Sequence, residues 1–338
     1  MEMTKVSIIG AGTWALGLAV LLSNNGAEVT MWSALEEELD MLRKTHEHKN
    51  LPGVKIPEEM KLESDLEQAV GSAEVLIMAV ASIYTRQTAA KMAPFVKEGQ
   101  IIVDVAKGIE EGTLMTLSEQ IREEIPQANV AVLSGPSHAE EVSRGIPTTC
   151  VVGASDQKTA EFLQNLFMSE VFRVYTSPDV KGIELGGALK NVIALAAGVA
   201  DGLGYGDNTK AALITRGMSE IARLAIAMGA HAETLYGLSG IGDLIVTCAS
   251  MHSRNRRAGI LIGQGKTMEE AMTEVNMVVE GVYSAKAAKA LADKYYIHMP
   301  LVEEVNKVLF EQKTASEAVH DLMLRDRRIE SPMLPWNG

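Results

Sequence analysis

The chain has 338 residues, 47% hydrophobic and 22% charged, with a formal net charge of −13. That length and apolar content fit two domains with sizeable cores and exclude a disordered chain. The negative charge argues against general nucleic-acid or anionic-membrane binding, so an anionic ligand needs a locally basic pocket. Cys150 and Cys248 are too few and too far apart for a disulfide framework or a metal motif, and read as reduced core thiols. No signal peptide precedes the first predicted strand. Glu184, Lys190 and Asp201 interrupt the best candidate for a membrane span, so a soluble cytoplasmic protein is expected.

Lys5–Ile9 is a short apolar run suited to a buried strand, and GAGTWALGLAVLLSNNG follows it. Gly10 and Gly12 permit a tight turn. Ala15 and Gly17 are small enough for a helix to pack closely on the strand, and that helix ends at Asn25-Gly26. With a second strand at Glu28–Trp32, this is a βαβ unit opening on a G-x-G-x-x-A fingerprint. The N–H groups at its helix start suit a dinucleotide pyrophosphate. The acidic residue usual about 20 positions on, which bonds a ribose diol, is missing, and no arginine stands ready for a 2′-phosphate. Thr30, Met31, Trp32, Ser33 and Ala34 fill the region, and Glu36, Glu37 and Glu38 read as the opening of the next helix. NAD and NADP both stay open as cofactor.

Further strands are expected at 75–80, 101–105, 130–133, 148–152 and 171–175, alternating with helical patterns. This implies a doubly wound, Rossmann-like parallel sheet. Ligands of such sheets bind beyond the carboxyl ends of the strands. The loops there carry Ala81-Ser82, Ala106-Lys107-Gly108 and Ser134-Gly135-Pro136-Ser137. Lys107 directly follows a strand and should face the crevice, the alternative being a solvated loop lysine. Ser177-Pro178-Asp179 reads as a break and a helix start, after which every pattern is helical. The expected fold is therefore α/β, with a dinucleotide-binding domain over 1–177 and an all-α domain over 178–338. The final RDRRIESPMLPWNG reads as a polar tail with little structure.

Residues 183–198, IELGGALKNVIALAAG, form a helix apolar on nearly every side, and such a helix is normally buried. Lys190 sits in its middle, sharing a face with Gly186, Gly187, Ile193, Ala194 and Ala197. A buried ammonium is costly unless paired or deprotonated. Proton transfer is one reason for a lysine here; a structural ion pair or a snorkelling side chain is the other. That face is small and apolar.

A long helix is expected over 210–228, stopped at Gly229. Asp243 follows a glycine pair in LSGIGDL. His252-Ser253-Arg254-Asn255-Arg256-Arg257 is a dense cationic segment opening another helix, where backbone donors and guanidinium groups together suit an anion. His138 lies near the proposed crevice, with packing or capping as its expected role. His46 and His48 do not share a helix face, and His231, His252, His298 and His320 are scattered. Neither a metal-ligand cluster nor a G-x-S-x-G elbow is present in the sequence.

Taken together, GAGTWA (10–15), AKG (106–108), SGPSHAEE (134–141), LGGALKNV (185–192), GIGDL (240–244), SRNRR (253–257) and VVEG (278–281) resemble the bacterial type of NAD(P)-dependent glycerol-3-phosphate dehydrogenase over nearly the whole chain. The resemblance implies hydride transfer between a nicotinamide and dihydroxyacetone phosphate, giving sn-glycerol 3-phosphate for phospholipid synthesis. It makes Lys190 the proton donor and acceptor. Lys107, Gly135 and Ser137 would touch the substrate, while Asp243, Ser253, Arg254 and Asn255 complete the pocket around it. Gly10, Gly12, Thr13, Trp14, Lys107, Ala139, Arg254, Val278 and Glu280 would hold NAD or NADP. Lys107 would stabilise the developing alkoxide and Asp243 would balance Lys190, and the small face around Lys190 would let a nicotinamide and a three-carbon substrate come close to the amine. No metal is implied.

The sequence departs from that family at Ala34, where a basic side chain or histidine is common, at Ala81, where proline is usual, and at Asn50, where an aromatic is common. A hydroxyacid or phosphogluconate dehydrogenase would need a carboxylate pocket, which SRNRR alone could also serve. A non-catalytic dinucleotide sensor would have no need of Lys190 and Asp243. Oligomeric state, a homodimer included, is not legible in the sequence.

Overall fold

The computed structural model describes residues 3–327 and 329–330. Eight strands, β1 (Lys5–Ile9), β2 (Glu28–Trp32), β3 (Lys61–Glu63), β4 (Val75–Met78), β5 (Ile101–Asp104), β6 (Asn129–Ser134), β7 (Thr148–Gly153) and β8 (Phe172–Ser177), form one sheet in the order β3-β2-β1-β4-β5-β6-β7-β8. The helices among them are α1 (Thr13–Asn24), α2 (Glu36–Thr45), α3 (Leu66–Gly71), α4 (Thr85–Met92), α5 (Leu117–Glu124), α6 (Ala139–Val142) and α7 (Gln157–Phe167). Then come only helices: α8 (Val180–Gly202), α9 (Asp207–Ala227), α10 (Ala232–Leu235), α11 (Asp243–Ala249), α12 (Arg254–Gly263), α13 (Met268–Val275), α14 (Glu280–Lys294), α15 (Pro300–Phe310) and α16 (Ala315–Met323). Most of the expected polar tail lies outside the described residues.

The sheet departs from the expected all-parallel form at one place. β6 pairs with β7 antiparallel, while β7 and β8 run parallel to each other. The link from β6 carries a turn at Gly135 (φ +133°) and the four-residue α6, which packs beside α1. It provides no long crossover helix, so the chain returns beside β6 in the opposite direction. β3 was not expected: three residues, KLE, offer no apolar run, and pairing with β2 at the sheet edge alone makes them a strand.

The register aligns Ile9 with Trp32 and Met78, and Met78 with Asp104. The carboxyl ends of β1, β2, β4 and β5 therefore share one edge, with the order reversing between β1 and β4. Doubly wound folds take their ligands at such a switch point. Apolar clusters cover both faces, Leu16, Leu18 and Leu22 on one side and Ala89, Met92 and Ile121 on the other.

α8 is the axis of the helical half. Asp179 caps it by accepting from Gly182 N at 2.9 Å, as Ser-Pro-Asp implied. By length and hydropathy it could cross a membrane, but 89% of its most apolar window is buried inside the fold. It crosses α12 at backbone contact through glycines of both helices. A Cβ on Gly198 would lie 2.1 Å from Arg256 O, and one on Gly259 would lie 2.1 Å from Leu195 O. These neighbours are helical backbone and cannot turn away. Gly259→Ala is expected to lose about 1–3 kcal/mol by overpacking, seen as a lower thermal midpoint. Gly112→Ala, whose Cβ would meet open space, should not lower it.

Candidate active site

The site is built from loops of the sheet and helices of the second half. α8 carries Lys190, whose side chain is 7% exposed, up to the sheet, where Ile183 packs with Val132 and Val151. Lys107 follows β5 by three residues. Asp243 opens α11 after the wide turn Leu238–Gly242, which lies against Gly186 of α8. The three meet. Lys190 Nζ donates to Asp243 Oδ1 at 2.5 Å, and Lys107 Nζ donates to Asp243 Oδ2 at 2.7 Å. One carboxylate thus takes an ammonium group on each oxygen.

Further bonds fix both amines. Lys190 Nζ also donates to Thr247 Oγ1 at 2.6 Å, and the Thr247 hydroxyl donates to Asp243 O at 2.6 Å. Thr247 therefore turns a lone pair to the amine. Lys107 Nζ donates to Gly135 O at 3.1 Å, and the Ser137 hydroxyl donates to the same carbonyl at 3.0 Å. Thr247 escaped the sequence reading, although its place one helical turn after Asp243 was a usable signal.

Burial lowers the Lys190 pKa from 10.5 to about 8; Asp243 opposes the shift and Lys107 adds to it. Burial alone would raise the Asp243 carboxyl, but Lys107 and Lys190 outweigh it and hold the group below its usual range. An amine that titrates near neutrality, fixed at a cleft, is equipped to give and take a proton. Behind Lys107 lies a cavity of about 10 Å³, lined among others by Asp104, Ser134, Glu184 and Gly187, with room for about one water. Burial drives Asp104 well above the carboxylate range, helped by Glu184.

The small face of α8 serves a different purpose from the one expected. Gly187 abuts Ser134 Oγ and the Lys107 stem, Gly186 abuts Ser239 O, and Ala194 and Ala197 are fully buried. Protein, not open space, covers that face, and the glycines are what bring Lys107 and the Asp243 turn up to Lys190.

In SRNRR the structure separates three arginines that look alike in the sequence. Arg256 Nε donates to Asp201 Oδ2 at 2.7 Å, and Arg257 Nη2 donates to Val275 O. Arg254, half-buried at the first position of α12, makes no hydrogen bond or ion pair among the described residues and is free to take an anion. Ser253 caps the helix by accepting from Arg256 N at 3.2 Å. Asn255 is buried; its Nδ2 donates to Asn191 Oδ1 at 2.9 Å and its Oδ1 accepts from Gly281 N at 2.8 Å, tying α8 to α14. His138 packs its ring against His252, centroids 5.8 Å apart, and burial and Lys190 lower its pKa.

At the other side of the cleft, Gly10 adopts φ +124°, and a Cβ there would meet Ala79 at 2.9 Å. Gly12 precedes α1 with no side-chain cap, and a Cβ on it would meet nothing within 4 Å. The first-turn N–H groups of α1 are therefore open to an anion, as a dinucleotide pyrophosphate requires. Thr13 accepts from Asn50 Nδ2 at 3.3 Å, Trp14 packs partly buried on the sheet core, and Ala139 lies against Gly17. Val278 is half-buried two residues before α14. Glu280, at the start of α14, accepts from Ser82 N at 3.1 Å and from the Ser82 hydroxyl. That contact, invisible in sequence, joins the helical half to the loop after β4. Ala81 sits at φ −63°, a backbone that proline also adopts.

Two family models, described as the N-terminus and the C-terminus of NAD-dependent glycerol-3-phosphate dehydrogenase, match residues 5–160 and 179–320. The chain belongs to this family. A glycerol-3-phosphate dehydrogenase [NAD(P)+] of Agathobacter rectalis is 66% identical over 99% of this chain and 100% of its own length. One of Fusobacterium nucleatum is 57% identical over 97% and 99%. The crystal structure of glycerol-3-phosphate dehydrogenase from Coxiella burnetii superposes with a TM-score of 0.92, at 35% identity, over 96% of this chain and 99% of that one. The sequence resemblance and the expected α/β-plus-helical fold are thus both confirmed.

Proposed function

We propose that this chain interconverts dihydroxyacetone phosphate and sn-glycerol 3-phosphate with NADH or NADPH, supplying glycerol 3-phosphate for phospholipid synthesis in the cytoplasm. The observation that carries the mechanism is the Lys190–Asp243–Lys107 cluster beside the carboxyl edge of the sheet. Residues 1–177 serve as the dinucleotide-binding domain and 178–338 as the substrate domain. Gly10, Gly12 and the start of α1 hold the pyrophosphate, with Thr13, Trp14, Lys107, Ala139, Arg254, Val278 and Glu280 lining the dinucleotide.

When bound, the reduced nicotinamide supplies a hydride to C2 of the ketone. The chain does the rest. Lys190 Nζ gives its proton to the C2 oxygen as negative charge gathers there, and takes it back in the reverse reaction. Lys107 Nζ donates to the same oxygen and stabilises it. Asp243 holds both amines at fixed positions, and Thr247 orients Lys190. Arg254 takes the phosphate, supported by Ser253 and Asn255, and Gly135 and Ser137 border the substrate. The phosphate grip lies away from the reacting carbon, so it positions the carbonyl without taking part in proton transfer.

Initial rates of NADH and NADPH oxidation with dihydroxyacetone phosphate and with dihydroxyacetone test the reading. Wild-type enzyme should strongly prefer the phosphate ester. Arg254→Ala should lose activity mainly through a higher KM for that ester, and far less for dihydroxyacetone. Equal losses for both ketones would remove Arg254 from the phosphate site, and no oxidation with either ketone would remove the reaction.

A further inference from the structure

The carboxyl end of β2 is where a Rossmann-like domain meets the adenosine ribose, and the charge there decides whether a 2′-phosphate is welcome. Here the strand ends at Trp32 and is followed by Ser33, Ala34 and Leu35. Ser33 is buried. Its hydroxyl donates to Glu38 Oε2 at 2.7 Å and accepts from Leu35 N at 3.1 Å. Glu38 is half-buried, and its other oxygen accepts no hydrogen bond among the described residues. Glu36 and Glu37 stand exposed at the first turn of α2, and Ala34 is an exposed methyl.

Among the described residues, no cation forms an ion pair with Glu38. Arg43 of α2 is taken by Glu36 at 2.6 Å and Asp40 at 3.0 Å. His48 faces Glu38, but burial and Lys49 lower its pKa and keep it neutral at pH 7, with Nδ1 accepting from Asn50 N at 3.1 Å. Lys61 is paired with Glu28. Lys49 is exposed on the loop whose next residue, Asn50, bonds Thr13 at the start of α1, the pyrophosphate end of the site.

We propose that the Ser33–Glu38 pair, with alanine at position 34, makes this enzyme select NADH over NADPH. Glu38, bonded to Ser33 just past the end of β2, keeps one carboxylate oxygen without a hydrogen bond among the described residues. It suits a hydroxyl donor and repels a phosphate dianion, and no arginine fork stands at position 34 to offset the repulsion. The inference rests on the dinucleotide-binding reading and goes beyond it by naming which dinucleotide.

Binding rather than turnover decides the matter. Dissociation constants for NADH and NADPH are measured by titration calorimetry on wild type, Glu38→Gln and Ala34→Arg. Wild type should bind NADH on the order of ten- to a hundredfold more tightly than NADPH, as one uncompensated charge contact implies. Glu38→Gln should close much of that gap by tightening NADPH, and Ala34→Arg should close it with a steeper salt dependence for NADPH. Wild-type affinities that are equal or favour NADPH would overturn the proposal, as would a ratio unmoved in both variants. If Glu38→Gln fails to fold, the exposed Ala34→Arg substitution decides alone. Binding of neither dinucleotide to wild type would instead sink the dinucleotide-binding reading itself.

Discussion

Lys190→Met should lower turnover by about 10²- to 10⁴-fold, the usual contribution of a general acid–base group, and leave NADH binding intact. Methionine matches the length and apolar character of the lysine stem, so α8 stays packed. Asp243 keeps Lys107 as its partner at 2.7 Å, so no carboxylate is stranded. The wild-type pH profile gives a second readout. With the Lys190 pKa lowered to about 8, ketone reduction needs the protonated amine and slows as pH rises through that value. Alcohol oxidation needs the neutral amine and speeds up over the same range. The residual rate of the methionine variant should lack that inflection in both directions. A near-normal rate, or an unchanged inflection, would remove Lys190 from proton transfer.

Lys190 was legible because it breaks a rule: an ammonium in the middle of an apolar helix has to be explained by chemistry or by a partner. The glycine fingerprint was legible because a turn before a helix has few other uses. What stayed hidden was pairing across the chain. Nothing in SRNRR distinguishes Arg254 from Arg256 until Asp201, 55 residues earlier, is seen to take one of them. Nothing in LGGALKN shows that Gly186 and Gly187 make room for a protein turn and a lysine stem. The direction of β7 was hidden for a similar reason. Strand composition records burial but not orientation, and it is the shape of the preceding link that sets which way the strand runs. Ser82 meeting Glu280 joins positions 198 residues apart, and only the folded cleft brings them together.

Asp243→Asn should be as damaging as loss of Lys190 itself, for a different reason. The substitution keeps size and shape but leaves two amines facing a neutral carboxamide, which can accept from only one of them. Asp243 is what raises the Lys190 pKa against burial and Lys107. Without it the amine loses its proton at a lower pH than in the wild type, and reduction at pH 7.5 should fall, by up to the ~10²-fold or more of a lost acid–base group, as the acid disappears. The reduction profile should move to the acid side, which a merely structural loss would not cause. Stability should respond as well, since breaking a buried ion pair costs about 3–5 kcal/mol when the remaining charge has no partner. Shedding the Lys190 proton limits that loss, and the sign with pH follows. The unfolded chain holds the proton up to about 10.5, while the folded variant releases it earlier. Folding of the variant therefore releases a proton at a pH where folding of the wild type does not, and the variant gains stability relative to wild type as pH rises to about 8, where the wild-type amine loses its own proton. The Asp243→Asn/Lys190→Met double variant separates these effects. With the stranded amine removed, it should melt above Asp243→Asn at pH 6–7, a non-additivity expected only of directly coupled groups. A double variant whose losses simply add would show that Asp243 does not serve Lys190.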